Sequence, residues 1–204
     1  MRVRKLAINL SNLENHSSKN VDLEQYSIDG DLAAKWLSDI VSFGDLKKDC
    51  RVTDLGAGNG ILGIGAFFLG AEEVTFIESD SEACKIINNN IKSLAFQNHS
   101  KIYNIHIDNH NIPIIDTDLI ITNPPWGRQK EKADKPFLQL ILDNYKTAHI
   151  LHNSKATHIT NFFQNEGWEV EKYGEADFYL PATYSHHKRQ RGKTEAGFWR
   201  VSPT

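Results

Sequence analysis

Asp54-Leu55-Gly56-Ala57-Gly58-Asn59-Gly60 is the stretch of sequence that decides the fold. The apolar run that ends at Leu55 has the composition of a buried strand, and the apolar residues from Ile61 onward predict a helix. Glycines between a strand and a helix permit a tight turn and let a ligand approach the backbone. Glu78 ends the next predicted strand roughly twenty residues later, where a carboxylate reaches ribose hydroxyls. Together these features predict a nucleoside-cofactor site, although the glycines alone would also suit a turn without a ligand.

Two cofactors compete for this turn, a nicotinamide dinucleotide and S-adenosylmethionine. A dinucleotide site usually reads G-x-G-x-x-G, whereas residues 56–60 read G-x-G-x-G after an aspartate. Asp54 favours a ligand with a cationic amino group, because its charge would repel a pyrophosphate. Asp108 follows the third predicted strand and is a candidate to contact an adenine amino group, with Asn109 beside it, although ordinary loop polarity would explain both residues equally well.

A second motif, Asn123-Pro124-Pro125-Trp126-Gly127, follows the apolar run 119–121. The residue before a proline is held extended, so Asn123 is aimed in advance. Its side-chain carbonyl and the backbone carbonyl of Pro124 offer two acceptors for the two hydrogens of a planar amino group. Trp126 offers a face on which a planar ring can stack. The motif fits transfer of a group to the exocyclic nitrogen of a base or amide, and it fits equally a proline-rich turn that ends a buried strand.

Predicted strands alternate with predicted helices along most of the chain, which is typical of a mostly parallel α/β sheet covered on both faces. A helix capped by Asp31 and stopped by Gly44 precedes this pattern, and Ser81 is the predicted N-cap of a later helix. We expect one domain, with a short N-terminal helical extension (1–45) and a doubly wound core (46–204). The seven strands are predicted at 51–55, 74–78, 101–107, 118–122, 149–152, 168–173 and 197–201, and core helices at 61–69, 81–94, 137–145 and 156–165.

The two motifs belong to one site if the first and fourth strands are neighbours. In doubly wound sheets, ligands bind at the carboxyl ends of the strands where the winding order reverses. An amino acceptor held by residues 123–126 would then lie beside the methyl group of a sulfonium cofactor bound at residues 54–60. A base inside a duplex cannot enter such a slot, so the target should be unpaired or flipped out.

Composition excludes several classes of protein. The chain has 204 residues and a formal net charge of -3, which argues against a protein that coats nucleic acid by bulk charge. Cys50 and Cys84 are the only cysteines, so neither a disulfide scaffold nor a thiolate zinc site is indicated. No stretch approaches a membrane span, and we expect a cytoplasmic protein. No metal site is predicted, because neither a carboxylate nor a cysteine stands at ligand spacing from the histidines at 149, 152 and 158, which we interpret as surface or capping residues.

Two basic clusters stand out, one directly after Trp126 and one late in the chain. Such runs are often solvated loops, but both are candidates to hold RNA phosphates around a docked base. The first contains Arg128, Lys130, Lys132 and Lys135, and the second contains His186, His187, Lys188, Arg189, Arg191 and Lys193.

These motifs resemble those of amino-group methyltransferases with the class I S-adenosylmethionine fold, which is Rossmann-like. Within that group the chain resembles the methyltransferase-like family, shared by archaea and eukaryotes, that N6-methylates an adenine of small-subunit ribosomal RNA. The resemblance runs almost end to end, since Leu23-Glu24-Gln25-Tyr26 and Leu180-Pro181-Ala182-Thr183-Tyr184 with His187-Lys188 also match. The Asn-Pro-Pro-aromatic motif alone specifies only an amino-group methyltransferase. The other two segments narrow the resemblance to the family that methylates ribosomal RNA.

The resemblance implies S-adenosylmethionine as cofactor and a small zinc-containing activator subunit that adds a strand at residues 101–107. The chain departs from the family pattern at Trp126, where phenylalanine is usual, and at Ile28, which replaces a hydroxyl residue. The implied base contacts are Asn123, Pro124, Pro125 and Trp126. The cofactor-binding candidates are Gln25, Tyr26, Ile28, Asp54, Gly56, Gly58, Asn59, Ile61, Glu78, Asp108 and Asn109.

Other functions are compatible with the same residues. The amino acceptors at 123 and 124 would also suit a guanine N2, a DNA adenine or a protein glutamine amide. A nicotinamide-dependent oxidoreductase would use the glycine turn but would give residues 123–126 no chemical task. A non-catalytic RNA-binding module with a vestigial cofactor fold is the third class.

Overall fold

The computed structural model describes residues 1–15, 28–108, 113–127, 131–180 and 192–204, with the backbone alone at 179, 180, 192 and 193. Within these ranges the helices are α1 (Val3–Ser11), α2 (Gly30–Phe43), α3 (Ile61–Phe68), α4 (Ser81–Ser93), α5 (Lys135–Asn144) and α6 (Thr157–Gln164). The strands are β1 (Arg51–Leu55), β2 (Glu73–Glu78), β3 (Ser100–Asn104), β4 (Leu119–Thr122), β5 (Ala148–Asn153), β6 (Glu169–Leu180) and β7 (Gly192–Ser202).

The described strands form one seven-stranded sheet in the order β3-β2-β1-β4-β5-β7-β6. Strands β1 to β5 pair in parallel, and β7 runs antiparallel to both β5 and β6. The predicted mostly parallel α/β sheet is therefore confirmed. The winding order reverses between β1 and β4, because β2 and β3 lie on one side of β1 and the later strands lie on the other.

The sheet has an apolar layer on each face. Buried residues of α1, α2, α3 and α4 share one cluster with the sheet, and those of α5 and α6 share the other. Trp36, which is fully buried on α2, donates a hydrogen bond from Nε1 to the Tyr173 hydroxyl at 2.7 Å. Burial of a large apolar side chain contributes about 1.5–3 kcal/mol, so these layers supply the main stabilisation. The predicted N-terminal extension thus packs directly against the sheet.

Two predicted helix caps are wrong by one or two residues. The cap of α2 is Asp29 rather than Asp31, and its Oδ1 accepts a hydrogen bond from Leu32 N at 2.8 Å. The cap of α4 is Asp80 rather than Ser81, since Asp80 Oδ1 accepts from Glu82 N at 2.9 Å. In both places two residues close together in the sequence can cap a helix. The aspartate that lies just before the first free N–H groups is the one that does so. The predicted stop at Gly44 is confirmed by its left-handed φ of 79°.

Strand β3 ends earlier than predicted, at Asn104 instead of residue 107. Its partner β2 ends at Glu78, and the Asn104 side chain donates to the backbone carbonyls of Glu78 and Ser79 at 3.0 and 2.9 Å. The Glu78 carbonyl also accepts from Ile105 N at 3.0 Å, so the backbone ladder ends where β2 ends, and the asparagine satisfies the Ser79 carbonyl just beyond it.

Strands β6 and β7 are much longer than predicted and form a hairpin that extends beyond the sheet. Strand β5 ends opposite Ala196, whereas the hairpin continues until Leu180 pairs with Gly192. Because β7 is antiparallel to β5, this extension lies past the carboxyl ends of the parallel strands. No helix in the described ranges is both long and apolar enough to cross a bilayer.

Candidate active site

The first and fourth strands end side by side. Leu55 lies opposite Thr122 in the parallel register, and the Thr122 hydroxyl donates to the Leu55 carbonyl oxygen at 2.7 Å. The next residues along the two strands are Gly56 and Asn123. Neighbouring strands are about 4.8 Å apart, so the glycine turn and the Asn-Pro-Pro-Trp motif leave the sheet as neighbours. The predicted adjacency of the two motifs is confirmed.

The glycine turn has three left-handed residues, with φ of 73° at Gly56, 57° at Gly58 and 82° at Gly60. The N–H groups of Gly56 and Ala57 both donate to the carbonyl oxygen of Ile77, at 2.9 and 3.1 Å. The turn is therefore fastened to the end of β2. A Cβ at position 58 would have no atom within 4 Å, so the backbone there faces open space.

Glu78 braces this turn from the end of β2. Its Oε2 accepts a hydrogen bond from Gly58 N at 2.8 Å, and its Oε1 accepts from Asp80 N at 2.9 Å. Burial raises the pKa of the Glu78 carboxyl, and the hydrogen bonds from Asp80 and Gly58 oppose that rise. Glu78 ends β2 as predicted and its carboxylate also holds the turn, and its contact with a ribose stays a prediction.

Asp54 lies beneath the turn and is 1% exposed. Its Oδ2 accepts a hydrogen bond from Gly63 N in the first turn of α3 at 2.8 Å. Burial raises its pKa to about 8, the Gly63 bond opposes this shift, and the charge of Glu78 adds to it. The side chain fastens α3 to β1, and a charge interaction with a cofactor amine stays a prediction.

The raised pKa of Asp54 predicts how stability depends on pH. The folded state prefers the protonated carboxyl of Asp54. The stability gained from this preference is therefore fully present below the ordinary pKa of 3.8. It is lost as the pH rises through the folded-state pKa of about 8. Asp54→Asn keeps an acceptor for Gly63 N but cannot ionise. We expect its melting temperature, relative to wild type, to increase between about pH 5 and about pH 9. A relative melting temperature that stays level, or falls, over this range in thermal unfolding would contradict the shift, and the exposed Asp143→Asn serves as the control.

Asn59 connects the turn to the N-terminal segment. Its Oδ1 accepts from Ile61 N at 3.3 Å, and Asn90, which is 3% exposed on α4, donates to the Asn59 carbonyl oxygen at 3.1 Å. Asn90 also donates to the Glu14 carbonyl oxygen at 3.1 Å. Sequence reasoning missed the role of Asn90 in joining the turn to the N-terminal segment. The signal that could have revealed it is a polar residue on the apolar face of α4.

Asn123 and Trp126 are bonded to each other. Trp126 Nε1 donates to Asn123 Oδ1 at 3.1 Å, and Asn123 itself is half-buried. The indole is 8% exposed and packs against Phe178 and His152, with ring centroids 4.8 and 5.8 Å away. Stacking of a base on Trp126 stays a prediction, and it would require the indole to leave one of these neighbours.

Phe137, on α5, is a residue that sequence reasoning did not assign to the site. A Cβ at Gly56 would lie 2.9 Å from Cε1 of Phe137, so this half-buried ring lies against the glycine turn. The helix begins at Lys135 with a proline in its first turn, two residues before the predicted start. Because the helix was predicted to begin at Phe137, nothing in the sequence indicated that this ring lies against residues 54–60.

The other predicted site residues fall into two groups. Ile28 and Ile61 are buried in the apolar cluster, and Asp108 is half-buried after β3. The second group lies outside the described residues: Gln25, Tyr26, Asn109, Arg128, Lys130, His187, Lys188, Arg189 and Arg191.

The interpretation of the histidines as surface or capping residues is wrong for His149 and His152, which are 0% and 2% exposed and lie within β5. His149 contacts Asp45 Oδ2 through Nε2 at 2.9 Å and the Tyr173 hydroxyl through Nδ1 at 2.8 Å. The premise that no carboxylate joins His152 and His158 is also wrong. Asp134 meets both histidines because the start of α5 lies beside β5 and α6.

Residues 38–180 match the family model described as Conserved hypothetical protein 95. The uncharacterized protein MJ0284 of Methanocaldococcus jannaschii is 31% identical, over 93% of this chain and 89% of its own length. The rRNA N(6)-adenosine-methyltransferase METTL5 of Danio rerio is 27% identical, over 100% of both chains. A crystal structure of PH1948 from Pyrococcus horikoshii, described as a "putative RNA methyltransferase", is 31% identical, covers 99% of this chain and 98% of that one, and has a TM-score of 0.88.

These similarities agree with the two motifs and with the order of the strands, and they confirm the resemblance drawn from the sequence. The matched region includes the glycine turn, the Asn-Pro-Pro-Trp motif and all of β6. The chain belongs to the Conserved hypothetical protein 95 family.

Proposed function

We propose that the protein is an S-adenosylmethionine-dependent methyltransferase of ribosomal RNA that acts on the N6 amine of an unpaired or flipped-out adenine. Small-subunit RNA is the proposed target, and the cytoplasm is the proposed location. The observation that carries the proposal is the register in which Leu55 lies opposite Thr122. This register brings the cofactor turn and the amine-acceptor motif together at one edge of the sheet. The similarity to METTL5 of Danio rerio, an rRNA N(6)-adenosine-methyltransferase, supports the choice of substrate.

The glycine turn is the proposed cofactor site. Gly58 is left-handed and a Cβ there would meet nothing within 4 Å, so a bound ligand can approach its backbone closely. S-adenosylmethionine, when bound, supplies an electrophilic methyl group on a cationic sulfur. The charge of the Glu78 carboxylate would favour that cationic ligand over a pyrophosphate, whereas Asp54, with its pKa raised to about 8, is mostly protonated at neutral pH. Phe137 adds an aromatic wall beside Gly56.

Asn123 and the Pro124 carbonyl are the proposed acceptors for the target amine. The lone pair of an aromatic amine is delocalised into its ring, so the nitrogen is a poor nucleophile. Two acceptors would bind both N–H groups, favour rehybridisation and stabilise the positive charge that develops on nitrogen. A carbonyl oxygen has two lone pairs, so the Trp126 hydrogen bond leaves one for the amine and holds the amide in place. Alignment of the reacting atoms is the other contribution, worth roughly 7–11 kcal/mol in well-oriented pairs.

The β6–β7 hairpin is the proposed RNA-binding arm. It extends past the carboxyl edge of the sheet, and Phe178 on β6 contacts Trp126. The hairpin strands lead into and out of residues 181–191, which carry the late basic cluster in the sequence. Chain connectivity therefore joins this cluster to the edge that holds the proposed site. Phosphate contacts there would hold the RNA without reading its sequence.

Replacing Lys188, Arg189 and Arg191 together by alanine should weaken RNA binding and flatten its salt dependence. Each lost phosphate contact lowers the slope of log affinity against log salt by about 0.7–0.9. The matched control replaces Arg2, Arg4 and Lys5 by alanine. This removes the same amount of positive charge from the exposed start of α1. RNA binding is measured across a salt titration. An equal loss of affinity in both triple variants, or no loss in either, would reject the proposed role of the hairpin in RNA binding.

The edge strand β3 is the proposed docking site for a small activator subunit. Strand β3 pairs only with β2 among the described strands and forms one edge of the sheet. Tyr103 on this strand is 46% exposed. An added strand from a partner would complete the ladder by backbone hydrogen bonds. The edge position of β3 agrees with the edge that the sequence resemblance implied.

Labelled cofactor tests the substrate class. The protein is incubated with labelled S-adenosylmethionine and separated RNA, DNA and protein fractions, with and without a candidate activator. We expect label in the RNA fraction alone. Label in DNA or in a glutamine amide would move the same chemistry to another substrate. Stabilisation by a nicotinamide dinucleotide and not by S-adenosylmethionine, in a thermal-shift comparison, would favour an oxidoreductase.

A further inference from the structure

Asp134, His152 and His158 form a cluster beside the proposed site that the methylation chemistry does not use. Asp134 Oδ2 lies 3.3 Å from His152 Nε2 and 2.5 Å from His158 Nε2, and the three potential ligand atoms lie within 4.8 Å of one another. Asp134 precedes α5, His152 lies on β5 and His158 lies on α6. The fold thus brings three separate elements together at this point.

The protein contacts leave His152 unsatisfied. Its side chain is 2% exposed, yet neither ring nitrogen makes a hydrogen bond of good geometry within the part of the chain that the structure describes, and the only polar contact of Nε2 there is the 3.3 Å approach to Asp134. A buried polar group without a partner is unusual and calls for a bound ion, a water or another explanation. The neighbouring carboxylate of Asp134 is 5% exposed. A buried carboxylate beside an unsatisfied imidazole is a donor pair suited to a cation.

We propose that Asp134, His152 and His158 bind a divalent transition-metal ion of the Zn²⁺ class. Zinc takes imidazole nitrogen at about 2.0–2.1 Å and carboxylate oxygen at about 2.0–2.2 Å in tetrahedral geometry, which places ligand atoms roughly 3.3 Å apart. The separation between Asp134 and His152 already has that value. His158 is closer, but its side chain is 53% exposed and can move outward to admit the ion.

The donor set leaves the fourth coordination position open. Two imidazoles and one carboxylate suit zinc and the neighbouring first-row metals rather than Ca²⁺ or Mg²⁺, which prefer oxygen ligands. The exposed side of His158 gives the ion a route from solvent. A carboxylate that bonds His158 and only contacts His152 is the metal-free alternative, and it predicts no change on addition of metal.

The ion would act on Trp126 through His152. The two rings are stacked with centroids 5.8 Å apart and an interplanar angle of 25°, and Trp126 donates to Asn123. Binding would fix β5, α6 and the segment before α5 as one unit and would hold the indole in place. The ion is therefore a positioning element, and its binding can be measured without any methylation assay.

The whole 204-residue chain, stripped of metal by a chelator, is titrated with Zn²⁺ by calorimetry. We expect binding at Asp134, His152 and His158, a change in tryptophan fluorescence on saturation, and a tetrahedral visible spectrum with Co²⁺. His158→Ala, at an exposed position, should weaken that binding by more than about 100-fold, above the loss typical of a second-shell partner. His99→Ala removes an exposed histidine elsewhere and should leave binding unchanged.

Asp134→Asn is the second variant, since it keeps the size of the side chain and removes its charge. It should weaken Zn²⁺ binding while far-ultraviolet circular dichroism stays that of the wild type. No Zn²⁺ binding by the wild type would overturn the proposal. Equal Zn²⁺ affinity in wild type, His158→Ala and Asp134→Asn would place the ion elsewhere and would overturn it as well. Either result leaves the proposed methylation unaffected, because no step of it uses the ion.

Discussion

Replacing Asn123 by alanine should abolish methyl transfer while leaving S-adenosylmethionine affinity nearly unchanged. The variant removes the acceptor that stabilises charge on the reacting nitrogen, and loss of one such group costs about 10²–10³ in turnover. The cofactor turn at residues 54–60 is fastened by the bonds that Glu78 accepts from Gly58 N and that Asp54 accepts from Gly63 N, and Asn123→Ala leaves both bonds in place. Single-turnover rates and calorimetric cofactor affinity separate the two effects.

Two further variants sharpen this prediction. Asn123→Asp keeps an acceptor for the indole and the amine, so it should retain part of the rate. Asn161→Ala removes an exposed asparagine from α6 and should behave as wild type. Turnover by Asn123→Ala within about threefold of wild type would show that the motif lacks the proposed electrostatic role. That outcome would favour a structural turn or a non-catalytic RNA-binding module.

Gly58→Ala should fold but lose most of its affinity for S-adenosylmethionine. A left-handed alanine costs about 1–2 kcal/mol, and the added methyl group meets no protein atom within 4 Å. The methyl group would instead occupy the space from which a ligand approaches the backbone. We expect affinity to fall by at least tenfold, which corresponds to about 1.4 kcal/mol.

Gly167→Ala is a close control for Gly58→Ala. Gly167 has φ of 79° after α6, and a Cβ there also meets nothing within 4 Å. Both variants should lower the melting temperature by similar amounts, because both place alanine in the same backbone region. Only Gly58→Ala should lose cofactor affinity, measured by calorimetry. Equal cofactor affinity in the two variants would remove the glycine turn from the cofactor site.

The fold could be predicted from local patterns because each one specifies its own element. Residues 51–55 read as a strand and residues 56–60 as a turn, whatever the rest of the chain does. The α2 stop at Gly44 needs only a residue that accepts a left-handed φ. The residue that caps a helix could not be predicted in this way. Asp29 and Asp31 can both cap α2, and only the geometry of the first turn selects Asp29.

Contacts between distant residues could not be predicted in the same way. Asp134 and His152 come together only because α5 packs beside β5, and no spacing in the sequence contains that fact. The long β6–β7 hairpin also escaped prediction, since Gly174 and the charged residues of β6 weaken a strand pattern that β7 completes by pairing. The burial of Trp126 depends on Phe178 from this hairpin. The residues of the candidate site were therefore predictable, while their present contacts were not.

Mass spectrometry of nucleosides tests the central claim most directly. Small-subunit ribosomal RNA is treated with the purified protein and S-adenosylmethionine, with and without a candidate activator, and is then digested to nucleosides. The account predicts a gain of N6-methyladenosine that Asn123→Ala abolishes. A methyl group found on guanine N2 instead, or an equal gain of N6-methyladenosine with Asn123→Ala, would contradict it.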